Sequence, residues 1–250
     1  MKFMSWADGP LAAFDVESTG IDTETDRIVT ACVARIRPDR PTEISSWLIA
    51  VDIDIDPAAT EVHKITTEHA RAHGKPAVEA VAELVETIRE CWTEGMPICG
   101  FNCRFDFSIL DSESRRWLGK PLEVTGPVID SLIIDKAVDK FRKGKRTLDV
   151  TRQHYGVRLD SAHDATEDAL AAARVAWKLA RLYPQVGNAT PEELHTLTAG
   201  WFAEQQTSFA DYLSGKIAKG IKDDTERAEV LARAELIRAD AKGWPVRGAA

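Results

Sequence analysis

Short apolar runs rich in β-branched residues alternate with polar turns through the first fifty positions, and this pattern predicts three strands. The runs cover residues 11–16, 28–36 and 44–51. Because the connections between them are short, we expect an antiparallel meander.

The apolar spacing then changes to a helical period over residues 77–90. Further along the chain, the pattern predicts a strand at 97–100, a helix at 105–118, a strand at 128–130, and helices at 132–138 and 165–182. Three strands followed by alternating helices and strands indicate an α/β fold, in which helices flank a mixed five-stranded sheet.

The chain changes character after Pro184. Thr190 followed by Pro191 is typical of a helix start, and helices are expected at 192–213 and 225–242. We therefore predict a domain over residues 1–185 and a helical C-terminal extension over 186–250. The aromatic residues of the extension favour core or docking roles over base stacking; they are Trp201, Phe202, Phe209, Tyr212 and Trp244.

Net charge, apolar runs and cysteine content limit the classes of protein to which the sequence can belong. The 250 residues carry a formal net charge of -8, which argues against broad coating of phosphate backbones. Neither a membrane-length apolar run nor a signal-peptide pattern is present, so a cytoplasmic location is expected. Four cysteines are too few for a disulfide scaffold and are expected to be buried thiols.

The most informative segment is FDVESTG at residues 14–20. Alternation along a strand places Asp15 and Glu17 on one face, while Phe14 and Val16 point into the core. A carboxylate pair at a strand end is either a solvated surface feature or the start of a site for a hard divalent cation.

Two further segments carry acids at helix starts. In GFNCRFDFSIL (100–110), Asp106 falls in the first turn of a predicted helix, where the helix dipole alone would favour an acid. In HDATEDA (163–169), Asp164 and Asp168 share a helical face, and His163 precedes them. Such an arrangement suits a mobile base beside a fixed metal ligand.

Together, the three segments resemble the motifs of DnaQ-like exonucleases of the DEDDh group, within the ribonuclease H-like superfamily. The resemblance covers about residues 11–182, leaves the C-terminal helices outside, and favours Asp168 over Asp164 as the ligand. The catalytic residues it implies are Asp15, Glu17, Asp106, His163 and Asp168.

The resemblance implies two Mg²⁺ or Mn²⁺ ions about 4 Å apart. Asp15 would bridge both ions, Glu17 and Asp168 would complete the site that binds the attacking water, and Asp106 would support the second ion through water. His163 would remove the proton of that water near neutral pH.

The resemblance also implies a pocket for the terminal nucleotide, built around the first motif, the segment HKIT (63–66) and the start of the second motif. Each of its residues could instead serve ordinary loop packing. The candidate substrate-binding residues are Thr19, Gly20, Ile21, His63, Ile65, Asn102 and Phe105. Asp130 could be a further acid of the site or a helix cap, and is left out of the metal ligands.

Charge is unevenly distributed. Residues 135–158 contain eight basic and three acidic residues, a net charge of +5, with a basic loop at 141–146. The fold would place this loop beside the site, although a solvated cationic loop is the simpler interpretation.

The function implied is a metal-dependent 3′→5′ exonuclease that releases nucleoside monophosphates from DNA 3′ ends, in proofreading or repair. The expected partners are a nucleic acid 3′ end, single-stranded DNA above all, and a polymerase or replication protein docked by the C-terminal helices. An exoribonuclease on the same fold is an alternative, separated by contacts to the 2′-hydroxyl. A noncatalytic nucleic-acid or polymerase-binding module is another, although the five catalytic positions are intact.

Overall fold

The structure is a computed structural model that describes residues 5–158 and 165–248. A five-stranded sheet has the order β3-β2-β1-β4-β5. Its strands are β1 (Leu11–Ser18), β2 (Ile28–Ile36), β3 (Glu43–Leu48), β4 (Ile98–Gly100) and β5 (Val128–Asp130). The β1–β2 and β2–β3 pairs are antiparallel, whereas β4 is parallel to β1 and β5 to β4. The predicted meander and mixed sheet are confirmed.

Helices cover both faces of the sheet. The helices that precede β5 in the chain are α1 (Pro57–His63), α2 (Thr67–His73), α3 (Ala77–Thr93) and α4 (Cys103–Leu118). Those after it are α5 (Ser131–Val138), α6 (Leu148–His154), α7 (Ala165–Leu182), α8 (Pro184–Gly187), α9 (Pro191–Tyr212), α10 (Ala218–Gly220) and α11 (Asp224–Ala239). Within the described ranges, no helix is both long and apolar enough to cross a membrane.

Alternation along β1 divides the interior into two cores. Phe14 and Val16 belong to the first core, with side chains of α3 and α4. Leu11 and Ala13 belong to the second core, with side chains of α7. Asp15 continues the face of Leu11 and Ala13, so its side chain lies on the side of the sheet that α7 covers.

Several short helices were not predicted from the sequence, among them α1, α2 and α6. Each of these three has seven residues, about two turns, which is too short for an apolar period to be recognised. Each begins at a residue whose side chain accepts a hydrogen bond from the first turn, namely Asp56, Thr66 and Thr147. The predicted third strand also ends earlier than expected, at Leu48.

The C-terminal helices share the first core with the sheet. Phe202 of α9, Trp244 and Val246 are buried in it. A separate small cluster of Ala210, Leu213 and Ala234 joins α9 to α11. The core role predicted for the aromatic residues is therefore confirmed for Phe202 and Trp244, while the boundary at residue 185 stays a prediction.

The predicted start of the long C-terminal helix is also confirmed. Thr190 and Glu193 form a reciprocal capping box at the N-terminus of α9, with Pro191 in its first turn. The four cysteines are buried free thiols, as expected.

Candidate metal centre

Three carboxylates converge at the edge of the sheet where β1 ends. Oxygen atoms of Asp15, Glu17 and Asp168 all lie within 4.8 Å of one another, and each residue is half-buried. Asp15 and Glu17 come from the β1 face that α7 covers, and Asp168 lies in the first turn of α7. Clustered carboxylate oxygens are the donors that Mg²⁺ and Mn²⁺ prefer, so this group fits a hard divalent cation.

Asp106 borders this cluster without belonging to it. It lies in the first turn of α4, is buried, and its Oδ1 accepts a hydrogen bond from the backbone N–H of Val16 at 3.1 Å. Burial raises the pKa of Asp106 well above the ordinary value, and the nearby carboxylates of Asp130 and Glu17 act in the same direction. A cation beside it would favour the charged form of the carboxyl group.

Asp130 caps a helix, which was one of the two roles considered for it. Its Oδ1 accepts hydrogen bonds from the N–H groups of Asn102, Leu132 and Ile133, at 3.0, 2.9 and 3.3 Å. Its Oδ2 is buried with no hydrogen-bond partner within the described chain. Burial raises the pKa of Asp130 to about 6, against the opposing effect of the N–H donors.

His163, the predicted base, lies outside the described residues. Ala165 and Thr166, two and three positions later in the chain, line a cavity of about 340 Å³ that opens beside Glu17. His63 and Ile65, predicted to contact the last bases, line the same cavity. The structure thus brings the HKIT segment next to the carboxylate cluster.

His63 is held in one tautomer. Its Nδ1 accepts a hydrogen bond from the backbone N–H of Ile65 at 3.2 Å, so the proton of the neutral ring is on Nε2. The Nε2 atom is buried and makes no hydrogen bond of ordinary geometry among residues 5–158 and 165–248, although the backbone of Ser18 is close enough to favour its proton. Burial lowers the pKa of His63, which keeps the ring neutral at pH 7.

The segment after β1 is a tight loop. Thr19 is buried, and its hydroxyl donates to Asp26 at 2.8 Å and accepts from the N–H of Arg27 at 2.9 Å. A Cβ atom on Gly20 would lie 2.5 Å from Asp26 Oδ2, so a larger residue there would displace the carboxylate to which Thr19 donates. Ile21 is 93% exposed and is free to contact a ligand.

Asn102 and Phe105 lie where β4 passes into α4. Asn102 is exposed and takes a left-handed conformation with φ of 68°, which directs its N–H to Asp130. Phe105 is half-buried against the first core. The described geometry gives both residues a structural role, and their contact with substrate stays a prediction.

The cavity also has walls that the sequence reasoning did not single out. Thr30 of β2 and Trp47 of β3 line it. Thr30 is the cross-strand partner of Glu17. Only the strand register relates these residues to the site, so the motifs alone could not identify them.

The two arginines of the predicted basic loop are paired within the protein. Arg142 and Arg146 bond the fully buried carboxylate of Asp135 at 2.5 and 2.8 Å, and the hydroxyl of Tyr155 donates to it at 2.7 Å. Lys143 is exposed. The interpretation of the whole loop as a cationic surface was therefore wrong for its two arginines.

Comparison with known proteins decides the family. Residues 12–176 match the profile of the RNase_T family, described as an exonuclease. The chain belongs to this exonuclease family. The resemblance to DnaQ-like DEDDh exonucleases with a ribonuclease H-like fold is thereby confirmed.

Curated relatives of this exonuclease are much longer chains. The DNA polymerase III PolC-type of Caldanaerobacter subterraneus subsp. tengcongensis is 24% identical over 190 residues, which cover 76% of this chain and 13% of that protein. The PolC-type protein of Mycoplasma pneumoniae is 27% identical over 133 residues, covering 53% and 9%. The chain therefore spans a small part of the length of these relatives.

Solved structures show the same fold. E. coli exonuclease I in complex with a dA16 oligonucleotide is 19% identical, with a TM-score of 0.62 over 72% of this chain and 42% of that chain. The zinc-bound form of the E. coli exonuclease I–ssDNA complex is 20% identical, with a TM-score of 0.63 over the same shares.

Proposed function

We propose that this exonuclease is a metal-dependent 3′→5′ enzyme that releases nucleoside monophosphates from DNA 3′ ends. The observation that carries the proposal is the convergence of Asp15, Glu17 and Asp168 within 4.8 Å in a chain of the RNase_T family. Three carboxylates from two separate elements are costly to hold together unless a cation balances their charge.

Asp15, Glu17 and Asp168 would hold two Mg²⁺ or Mn²⁺ ions, and Asp106 would contribute from the border of the cluster. When bound, such ions neutralise the charge of the phosphoryl group and lower the pKa of a ligated water. Glu17 and Asp168 would hold the water side of the site. His163, two residues before the start of α7, would accept the proton of the attacking water.

The cavity beside Glu17 would select the end of a nucleic acid strand over a position within the strand. Its volume of about 340 Å³ is at the lower end of small-ligand sites and suits one nucleotide better than a continuing strand. His63 would present its Nε2–H to the terminal nucleotide, and Ile65 and the exposed Ile21 would lie against the base. The loop of Thr19 and Gly20 would close the pocket.

DNA is proposed as the substrate because the relatives are named DNA polymerases and exonuclease I has been solved with oligonucleotides such as dA16. A role in proofreading or repair, with a polymerase or replication protein bound by the C-terminal helices, is the corresponding proposal for partners.

A side-by-side digestion tests the proposal. Matched single-stranded DNA, duplex DNA, mismatched duplex and RNA, each labelled at one end and blocked at the other in turn, are incubated with Mg²⁺ or Mn²⁺. We expect mononucleotide release from free 3′ ends of DNA, fastest on single strands. Release from 5′ ends, or a faster reaction on RNA, would contradict the proposal.

A substitution of His163, the proposed base, distinguishes a loss of catalysis from a loss of metal binding. His163→Gln should lose most of the turnover while the divalent-ion dependence of its thermal stability is kept. A wild-type rate for this variant near pH 7 would remove His163 from the mechanism.

A further inference from the structure

A groove runs between α5 and α9, outside the cavity beside Glu17. Its volume is about 820 Å³. Lysine, glutamine and aromatic side chains form much of its wall: Lys136, Lys140, Trp201, Gln205, Phe209 and Tyr212. The family profile ends at residue 176, so the α9 wall lies outside the part of the chain that defines the family.

The contacts of α9 place the groove at the edge of the sheet that carries the carboxylates. His195, near the start of α9, contacts the first residue of β5, because its Nδ1 accepts from the N–H of Val128 at 3.0 Å. Seven residues later, the Phe202 ring lies 5.1 Å from the guanidinium carbon of Arg104, in the first turn of α4. The helix thus runs from the start of β5 toward the ends of β4 and β5.

Beyond Phe202, α9 continues past that edge. Phe209 lies about 10 Å further along the helix axis, at 1.5 Å per residue. The Gln205 amide donates to the carbonyl of Ile133 at 2.9 Å, which holds α5 alongside. Because α5 begins directly after Asp130, the groove opens beyond the end of β5, on the edge where Asp15 and Asp106 lie.

The aromatic wall of the groove is open to solvent. Phe209 and Tyr212 are 43% and 46% exposed. The neighbouring Phe141, directly after Lys140, is 89% exposed. Partly exposed aromatic rings beside a basic track are how proteins bind single strands without sequence preference, since every base offers a face for stacking.

The charge of the groove favours a phosphate backbone over a protein partner. Glu204 is the one acid among the described residues that line the groove, while the buried acids Asp130 and Asp135 also act on Lys136. Lys216 lies 5.7 Å from the Tyr212 ring. Lysine is depleted from the cores of protein–protein interfaces, whereas it is the usual contact of nucleic acid phosphates.

We propose that the groove between α5 and α9 binds the single strand a few nucleotides to the 5′ side of the terminal nucleotide. Phe209 and Tyr212 stack on bases, and Lys136 and Lys140 contact phosphates. This inference rests on the proposed function, because it assigns the groove to the strand whose 3′ end is at the carboxylates.

The test measures affinity as a function of strand length. Fluorescein-labelled oligothymidylates of 2, 4, 8 and 12 residues are titrated in EDTA, and binding is followed by anisotropy. For the 12-mer, we expect Phe209→Ala/Tyr212→Ala to weaken binding at least about tenfold. The loss should diminish as the strand is shortened to two residues. Lys136→Ala/Lys140→Ala should lower the salt dependence of log Kd by about 0.7 for each lysine.

Matched controls come from the same extension. Leu236→Ala removes an apolar side chain that is 72% exposed on α11, and Lys222→Ala removes an exposed lysine. Both should bind the 12-mer as the wild type does. Unchanged binding in both groove variants, or an equal loss for the 2-mer and the 12-mer, would overturn the inference and leave the groove to a protein partner.

Hydrolysis of thymidine 5′-p-nitrophenyl phosphate by the wild-type protein with Mn²⁺ tests the proposed function separately. This ester has no strand to place in the groove. Failure to hydrolyse it would contradict the metal-dependent chemistry, whereas the length dependence of binding reports on the groove alone.

Discussion

The Oδ1 atom of Asp106 accepts a hydrogen bond from the backbone N–H of Val16, the residue between Asp15 and Glu17. The acid of the second motif is therefore bonded to the strand that carries the acids of the first. This bond ties the first turn of α4 to the end of β1. Asp106 consequently has a structural role in addition to the proposed one in metal binding.

Two substitutions of Asp106 separate these roles. Asp106→Ala leaves the buried N–H of Val16 without an acceptor, which should lower the free energy of unfolding by about 1–3 kcal/mol. Asp106→Asn keeps an acceptor and removes a charge whose burial is unfavourable, so it should be at least as stable as the wild type in EDTA. Both should lose nuclease activity. Equal stability of the two variants, measured by urea unfolding, would contradict the structural role.

Removal of one carboxylate of the cluster should weaken the dependence of thermal stability on divalent ions. The melting temperature of the wild type should rise with Mg²⁺ or Mn²⁺, because an ion that binds the native state stabilises it. Asp168→Asn should reduce this shift and lower activity at least about a hundredfold, since partners one step further from a metal already cost 10–100-fold. Glu229→Gln, an exposed acid on α11, is the control. A wild-type metal response in Asp168→Asn would exclude Asp168 as a ligand.

Because the carboxylate of Asp135 is buried, we expect Arg146 of the basic loop to contribute more to the free energy of unfolding than the neighbouring Lys145. Arg146→Met leaves Asp135 with Arg142 and Tyr155 as partners, and should lower the free energy of unfolding by about 2–3 kcal/mol. Lys145→Met, at an exposed position, should change it by less than about 0.5 kcal/mol. Urea denaturation of both variants measures the difference, and similar midpoints would refute the assignment of Arg146 to this cluster.

The C-terminal segment should contribute to the stability of the whole fold. Trp244 is buried in the first core, so Trp244→Ala should cost about 3–5 kcal/mol. Leu236→Ala, at a 72% exposed position, should be nearly neutral. If Trp244→Ala instead unfolds the C-terminal helices in a separate early transition, the extension is an independent unit.

The contact between His195 and β5 should respond to pH. Burial lowers the pKa of His195 below its ordinary value of 6.5, and its Nδ1 must stay unprotonated to accept from Val128. As the pH falls through 6.5, the unfolded state takes up the proton first, so this contribution is present above pH 6.5 and is lost below it. His195→Asn, which can present a carbonyl oxygen, should lose less stability than the wild type between pH 7.5 and pH 5. Urea unfolding at both pH values measures this difference, and parallel losses would contradict it.

The sequence predicts those parts of the site that depend on local geometry. Alternation along one strand is enough to place Asp15 and Glu17 on the same face, and the long helix that carries Asp168 has a clear apolar period. The approach of Asp168 to the strand depends on packing between distant segments. The expectation that Asp168 lies near the strand came from the resemblance of the motifs and not from the apolar period of the helix.

Other features depend on tertiary contacts that no local pattern contains. The arginines of the basic loop are close in sequence to several lysines, yet their charge is balanced by Asp135 in the interior. Phe202 and Trp244 are far apart in the chain but share a core with β1. The sequence thus predicts a separate C-terminal extension, although its residues Phe202 and Trp244 pack in the first core of the sheet.

The position of α9 along β5 also determines which pairing positions at the edges of the sheet are occupied. β5 is an edge strand, and the outward N–H of Val128 would be free to pair with a strand of another molecule. The imidazole of His195 takes that N–H instead, as a neighbouring strand's carbonyl would. A side chain of the extension thus takes a pairing position that a neighbouring strand would otherwise use, while β3 forms the opposite edge of the sheet.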